Sequence, residues 1–185
     1  MGDCLKFSAS VLVRAEPAKV FALISDPRRK AALNPNVRVI RVDLESGEPV
    51  REGTVFYHRL QKGTRIFEYK SRCVRMVPPH LFESRSETDP PFAVGVTLEH
   101  TAEGCRLTQQ ETLEVTPELL DAIEPVWTEA PTFRDIVRLL PLFPGVRQLG
   151  SEFRAHQREQ LVRTLTGELQ VWLDAIKANL EGQNR

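Results

Sequence analysis

The chain has 185 residues, 41% hydrophobic and 27% charged, which suits one globular domain with a sizeable core. Its 25 basic residues balance its 25 acidic ones, and this zero net charge argues against a nucleic-acid binder, which needs a basic surplus on at least one face. Three scattered cysteines, Cys4, Cys73 and Cys105, have no metal-ligand spacing and form no disulfide framework, so a reducing, cytoplasmic setting without metal or cofactor is expected.

The opening MGDCLKFSAS lacks a basic start followed by an apolar core, so no signal peptide is read there, and no apolar run has the length of a membrane span. From Leu5, hydrophobic and polar residues alternate through Phe7, Ala9, Val11 and Val13, the period of a half-buried strand. Pro17 ends it and suits the first turn of a helix carrying Val20, Phe21, Leu23 and Ile24. Asp26-Pro27 caps and starts a second short helix, which Asn34-Pro35-Asn36 stops. On that helix Arg28-Arg29-Lys30, the one compact basic cluster, reads as a solvated face.

Strand-like runs follow at about 37–46, 53–62, 65–77, 80–88, 92–101 and 104–116, separated by Gly- and Pro-containing turns. Links this short between successive strands imply an antiparallel meander, seven strands in all with the first. Thr116-Pro117-Glu118 begins a short helix, and Thr132 to Leu140 carries another, before Pro141 and Pro144 leave Leu142 and Phe143 in an apolar loop. This extended connection, about 117–150, reads as ordinary structure across the mouth of a groove, as a mobile lid, or as a dimer or membrane-surface contact. From Ser151 to about Leu180 runs one amphipathic helix, its stripe formed by Phe153, Leu161, Leu165, Leu169, Trp172, Leu173, Ile176 and Leu180.

The segments AEPAKVFALISDP (15–27), NPNV (34–37) and EGTVF (52–56), supported by PPHLFES (78–84) and GCRLTQQETLEV (104–115), resemble the START-like, or SRPBCC, superfamily. This superfamily includes polyketide cyclase/dehydrase-like and birch-pollen-allergen-like proteins. The resemblance implies an α+β helix-grip fold over the whole chain, 1–185: a curved seven-stranded antiparallel sheet around the long C-terminal helix, with the two short helices closing one end. It also implies an internal cavity for a small hydrophobic molecule, and it carries no universal catalytic set. Ala32-Leu33 departs from it, since an aromatic residue commonly precedes the Asn-Pro link.

Strand parity lists the residues expected to face inward: Phe56 and His58, Phe67 and Tyr69, Phe82, Val96 and His100, Gln109 and Glu111. With Phe153, Leu161, Leu165 and Trp172 from the helix these are the candidate ligand-binding residues, and no catalytic residue is assigned. The leading expectation is a carrier or sensor of a lipid, polyketide or isoprenoid-like molecule, with no integral membrane association and a possible homodimer. The alternatives are a cyclase/dehydratase, with Glu111 or a histidine as general base and Tyr69 as donor to a carbonyl, and a protein-interaction module. Convergence of the inner polar residues on one point together with observed turnover separates the enzyme from the carrier.

Overall fold

A computed structural model describes residues 4–89, 91–114 and 146–182; side chains of 146–157 are outside the description. The elements in chain order are β1 (Cys4–Val13), α1 (Pro17–Ile24), α2 (Pro27–Ala31), β2 (Arg38–Leu44), β3 (Val55–Lys62), β4 (Arg65–Val77), β5 (Leu81–Ser86), β6 (Phe92–Thr101), β7 (Gly104–Glu114) and a long helix, α3 (Val146–Gly182). The strands form one curved antiparallel sheet in the order β1-β7-β6-β5-β4-β3-β2. Every strand after β2 thus neighbours its predecessor, and β1 closes against β7.

The register aligns one inner face across all seven strands. Phe7 stands opposite Glu111, which stands opposite Val94; Ala9 similarly meets Gln109, and Gln109 meets Val96. Farther along, Val96 faces Phe82, Cys73 faces Ser84, and His58 faces both Tyr69 and Val42. Single-residue bulges between Val39 and Arg41 and between Cys73 and Arg75 switch the residue-number parity that faces inward, so that Val39 and Val42, and Cys73 and Met76, share the inner face. At the β6–β7 turn Gly104 has φ +138°, and a Cβ there would stand 2.2 Å from the Val13 carbonyl oxygen, so β1 can pass only a glycine.

The helix α3 lies closest to β1. Arg158 hydrogen-bonds the Cys4 carbonyl, and Glu181 accepts from the Arg14 backbone N–H at 2.9 Å. Ten residues of strand and the stretch of helix between these anchors both extend about 34 Å, so the two elements match in length. Leu169, Leu173, Ile176 and Leu180 are buried along it, packing with β1, α1 and the inner face of β5–β7, and Leu161 is buried too. The helix begins at Val146, five residues earlier than the pattern suggests, because Gly150 sits inside it at a tolerable cost of about 1 kcal/mol. The short helices and apolar loop expected within 117–145 lie outside the described residues. No helix among the described residues is long and apolar enough to cross a membrane.

Candidate functional site

Three further contacts hold α3 over the open half of the sheet. Glu168 pairs with Lys62 at the tip of β3 at 2.6 Å, and its carbonyl accepts from Asn36 Nδ2 at 2.8 Å. One turn on, the Trp172 indole N–H donates to the Lys30 carbonyl at 3.1 Å. Between these clamps the inner wall is not sealed: Tyr69, Phe92, Val94, Glu111 and Leu113 are half-buried, whereas Phe56, Phe82, Val96 and Leu107 deeper in are buried. A groove therefore runs between α3 and strands β3, β4, β6 and β7, apolar at its floor.

The polar groups of this groove come together. His58 Nε2 shares a hydrogen with Ser71 Oγ at 2.9 Å, and its ring stacks on Tyr69 with centroids 4.5 Å apart. Tyr69 in turn meets the edge of Phe92 at 5.1 Å. Across the groove Gln109 Nε2 donates to Glu111 Oε1 at 2.5 Å. His58 Nδ1 and Gln109 Oε1 are fully enclosed and lack hydrogen-bond partners, an unusual state for buried polar atoms.

Lys30 completes the cluster, and its position corrects the reading of the basic run as a solvated face. Arg29 is exposed, and Arg28 binds Asp26 at 2.9 Å and Glu48 at 2.6 Å, but Lys30 is buried, with only 7% of its surface accessible. Its ammonium rests on the face of Trp172, 4.7 Å from the ring centroid. The cue was helical spacing: positions 27, 30 and 31 share one face of a helix opened by Asp26-Pro27, and Ala31 beside Lys30 is buried too. Reading the three residues as a charge block hid that periodicity.

Two residues expected at the inner wall stand apart from it. His100 and Phe67 have inward parity but are exposed, Phe67 to 39%. They overhang opposite ends of β5: its pairing with β6 stops at Thr97, short of His100, and its pairing with β4 reaches only Ser71, short of Phe67. Parity states which way a side chain points and not whether anything faces it. Phe56, His58, Tyr69, Phe82, Val96, Gln109 and Glu111 are on the inner wall, with Leu161 buried and Leu165 and Trp172 partly buried against it. The Phe153 side chain is outside the described part.

Burial governs the charge states. It pulls the Lys30 amine down to about 8, against the opposing attraction of Glu111. It pushes the Glu111 carboxyl up, opposed by Lys30 and by the Gln109 amide. Burial, aided by Lys30, lowers His58 to about 4, so its ring is neutral at neutral pH. Burial and Glu111 together raise Tyr69, which keeps its hydroxyl proton as a donor. The groove thus holds an ammonium and a carboxylate that sense each other, plus a neutral imidazole and a phenol. Among the described residues no group of three or more His, Cys, Asp and Glu is placed to hold a metal ion. An outer cleft of about 650 Å³, lined by Arg28, Arg41, Asp43, Glu48 and Tyr57, has its charges already paired: Arg28 with Asp26 and Glu48, Arg41 with Asp43.

A curved seven-stranded sheet gripping a long helix, two short helices at one end and a polar knot in the groove between define a helix-grip, START-like protein. The chain belongs to the family described as polyketide cyclase / dehydrase and lipid transport, whose model matches residues 5–138. This membership gives it a ligand-binding or cyclase-type function. Its fold is similar to that of the di-domain ARO/CYC StfQ from the steffimycin biosynthetic pathway, at 17% identity and TM-score 0.67. That match covers 98% of this chain and 52% of the other, so the chain spans about half of that protein. It is also similar to TTHA0849 from Thermus thermophilus, at 14% identity, TM-score 0.61 and coverage of 97% and 99%. A third likeness is to a point mutant of Thalictrum flavum norcoclaurine synthase in complex with a transition-state analogue, at 14% identity, TM-score 0.60 and coverage of 100% and 99%. No curated protein matches by sequence.

Proposed function

We propose that the protein binds one small, largely apolar molecule with a polar end in the groove between α3 and the sheet. The observation that carries this reading is the convergence of Lys30, Tyr69 and Glu111, from three different elements, on an inner wall whose other members are apolar. Phe92, Val94, Leu113 and Leu165, half-buried above the floor of Phe56, Phe82 and Val96, supply surface for the body of the molecule, where burial is favourable by about 25 cal/mol per Å² of apolar area. The polar end meets the Lys30 ammonium, the Tyr69 hydroxyl and the Glu111 carboxylate, which fix its orientation. Carriage or sensing requires nothing more. The test is mild solvent extraction of purified protein followed by mass spectrometry: one defined apolar compound near one per chain is expected, and an empty protein that also fails to bind an apolar fluorescent dye contradicts the reading.

The convergence also favours a second reading, cyclase- or dehydratase-type catalysis. A carboxylate whose burial makes it more basic, facing a phenol that donates, can remove a proton next to a carbonyl while the phenol supports the developing oxyanion. On this reading Glu111→Gln and His58→Asn abolish turnover of a poly-carbonyl substrate while retaining its binding. Unchanged turnover in both variants rejects it.

A further inference from the structure

Lys30 is the least satisfied group in the groove. An ammonium has three hydrogens to donate, and burying it without acceptors is expensive. Among the described residues Lys30 forms no ion pair and no hydrogen bond through its side chain, and its recorded contact is the π face of Trp172. Glu111 acts on it only through space, as does Lys30 on His58. His58 Nδ1 and Gln109 Oε1 on the same inner wall are fully enclosed and likewise lack a hydrogen-bond partner. Lys30 and Glu111 sense each other but form no ion pair, so the donors of the ammonium are left for a third group.

That group is constrained by charge. An anionic ligand head would add a second negative charge beside Glu111, with one lysine to balance both. A neutral carbonyl leaves the Lys30–Glu111 balance intact, and its oxygen can accept from Tyr69. We infer that Lys30 captures the carbonyl carbon of an apolar aldehyde or ketone as a reversible imine, with Glu111 moving the protons. This rests on the groove being the ligand site and names the class of ligand it takes.

The step balances without oxidant or reductant. Glu111 takes a proton from the Lys30 ammonium, and the freed nitrogen lone pair attacks the carbonyl carbon. The C=O π pair moves to oxygen, which takes the proton that the now cationic nitrogen gives up, to give a neutral carbinolamine. The protonated Glu111 carboxyl then delivers its proton to that hydroxyl, the C–O bond breaks with loss of water, and the nitrogen lone pair forms C=N. Addition of water reverses the sequence and releases the ligand. The protonated imine carries the same single positive charge that the ammonium did, still set against the Trp172 face and Glu111. A buried amine brought down to about 8 is far more often in its free, nucleophilic form at pH 7.5 than a solvated lysine near 10.4.

The test uses the full chain with hydrocinnamaldehyde and sodium cyanoborohydride at pH 7.5, and peptide mapping of the reduced adduct. Its companion is displacement of anilinonaphthalene sulfonate from the groove by hydrocinnamaldehyde and by hydrocinnamyl alcohol. The adduct is expected on Lys30 at about ten-fold or more over Lys6, Lys19, Lys62, Lys70 and Lys177, because the free-amine fraction sets the rate. In Glu111→Gln the trapping rate at Lys30 is expected to fall about a hundred-fold, the lower end of the usual range for loss of acid–base help. Dye displacement by both compounds with labelling spread evenly over the lysines would overturn the imine while leaving the groove as a ligand site. Failure of dye, aldehyde and alcohol alike to bind, with no Lys30 adduct, would remove both.

Discussion

Replacing Lys30 by methionine keeps the length of the side chain and removes its charge, so it isolates what holding an ammonium in this groove costs the fold. Burial takes the amine from its ordinary 10.5 to about 8. Because the folded value is below the unfolded one, the unfolded chain binds the proton more tightly and the charge works against folding. The opposition is complete below pH 8 and is relieved as pH rises from 8 to 10.5. The displacement corresponds to about 3 kcal/mol at pH 7, falling to about 1 kcal/mol at pH 9.5. Urea unfolding of both proteins at the two pH values reads the effect directly. Lys30→Met is expected to be the more stable by about 2–3 kcal/mol at pH 7, with the gap narrowing by about 2 kcal/mol at pH 9.5. Taking the difference between the two proteins cancels the titration of Tyr69, Cys73 and Cys105, which the two share. A destabilised Lys30→Met, or a gap that does not change with pH, would refute the burial of this charge.

Gly104→Ala forces a side chain onto the Val13 carbonyl at a φ of +138°, so a loss of about 2–4 kcal/mol is expected, read as a fall in Tm. Trp172→Phe removes the indole N–H that the Lys30 carbonyl accepts and weakens the aromatic seat of its ammonium; a loss of about 1–2 kcal/mol by urea unfolding is expected. His58, lowered to about 4, keeps its ring signals unchanged in NMR spectra from pH 7 to 5.5. Its folded value lies below the unfolded 6.5, so it withdraws stability as pH falls from 6.5 towards 4, and His58→Gln flattens the acid side of the stability profile.

Strand alternation made most of this architecture legible. Seven runs with period two, joined by turns too short for a crossover, leave a meander as the simple solution, and Pro17 and Asp26-Pro27 mark where the sheet pauses for two helices. Parity placed His58, Tyr69, Gln109 and Glu111 on one wall because each flanks an uninterrupted stretch of pairing. The same parity failed to say that Phe67 and His100 are uncovered, since that depends on how far the neighbouring strand β5 extends. Lys30 escaped because a five-residue helix shows too few turns for its buried face to stand out, and because a lysine between arginines looks solvated. Its seat on Trp172 joins residues 142 positions apart, a relation that no local pattern encodes.

The central claim, that a molecule sits between α3 and the sheet with its polar end at Lys30, Tyr69 and Glu111, is tested most directly by filling that space. Val94 is half-buried on the inner face opposite Glu111 and Ser84, so a Val94→Trp side chain would occupy the room proposed for the ligand. Titration of anilinonaphthalene sulfonate into wild-type and Val94→Trp protein, with near-ultraviolet circular dichroism confirming a folded variant, is the measurement. Saturable binding near one dye per wild-type chain, weakened about ten-fold or more in the variant (about 1.4 kcal/mol), is the predicted result. Equal affinity in the two folded proteins would contradict it.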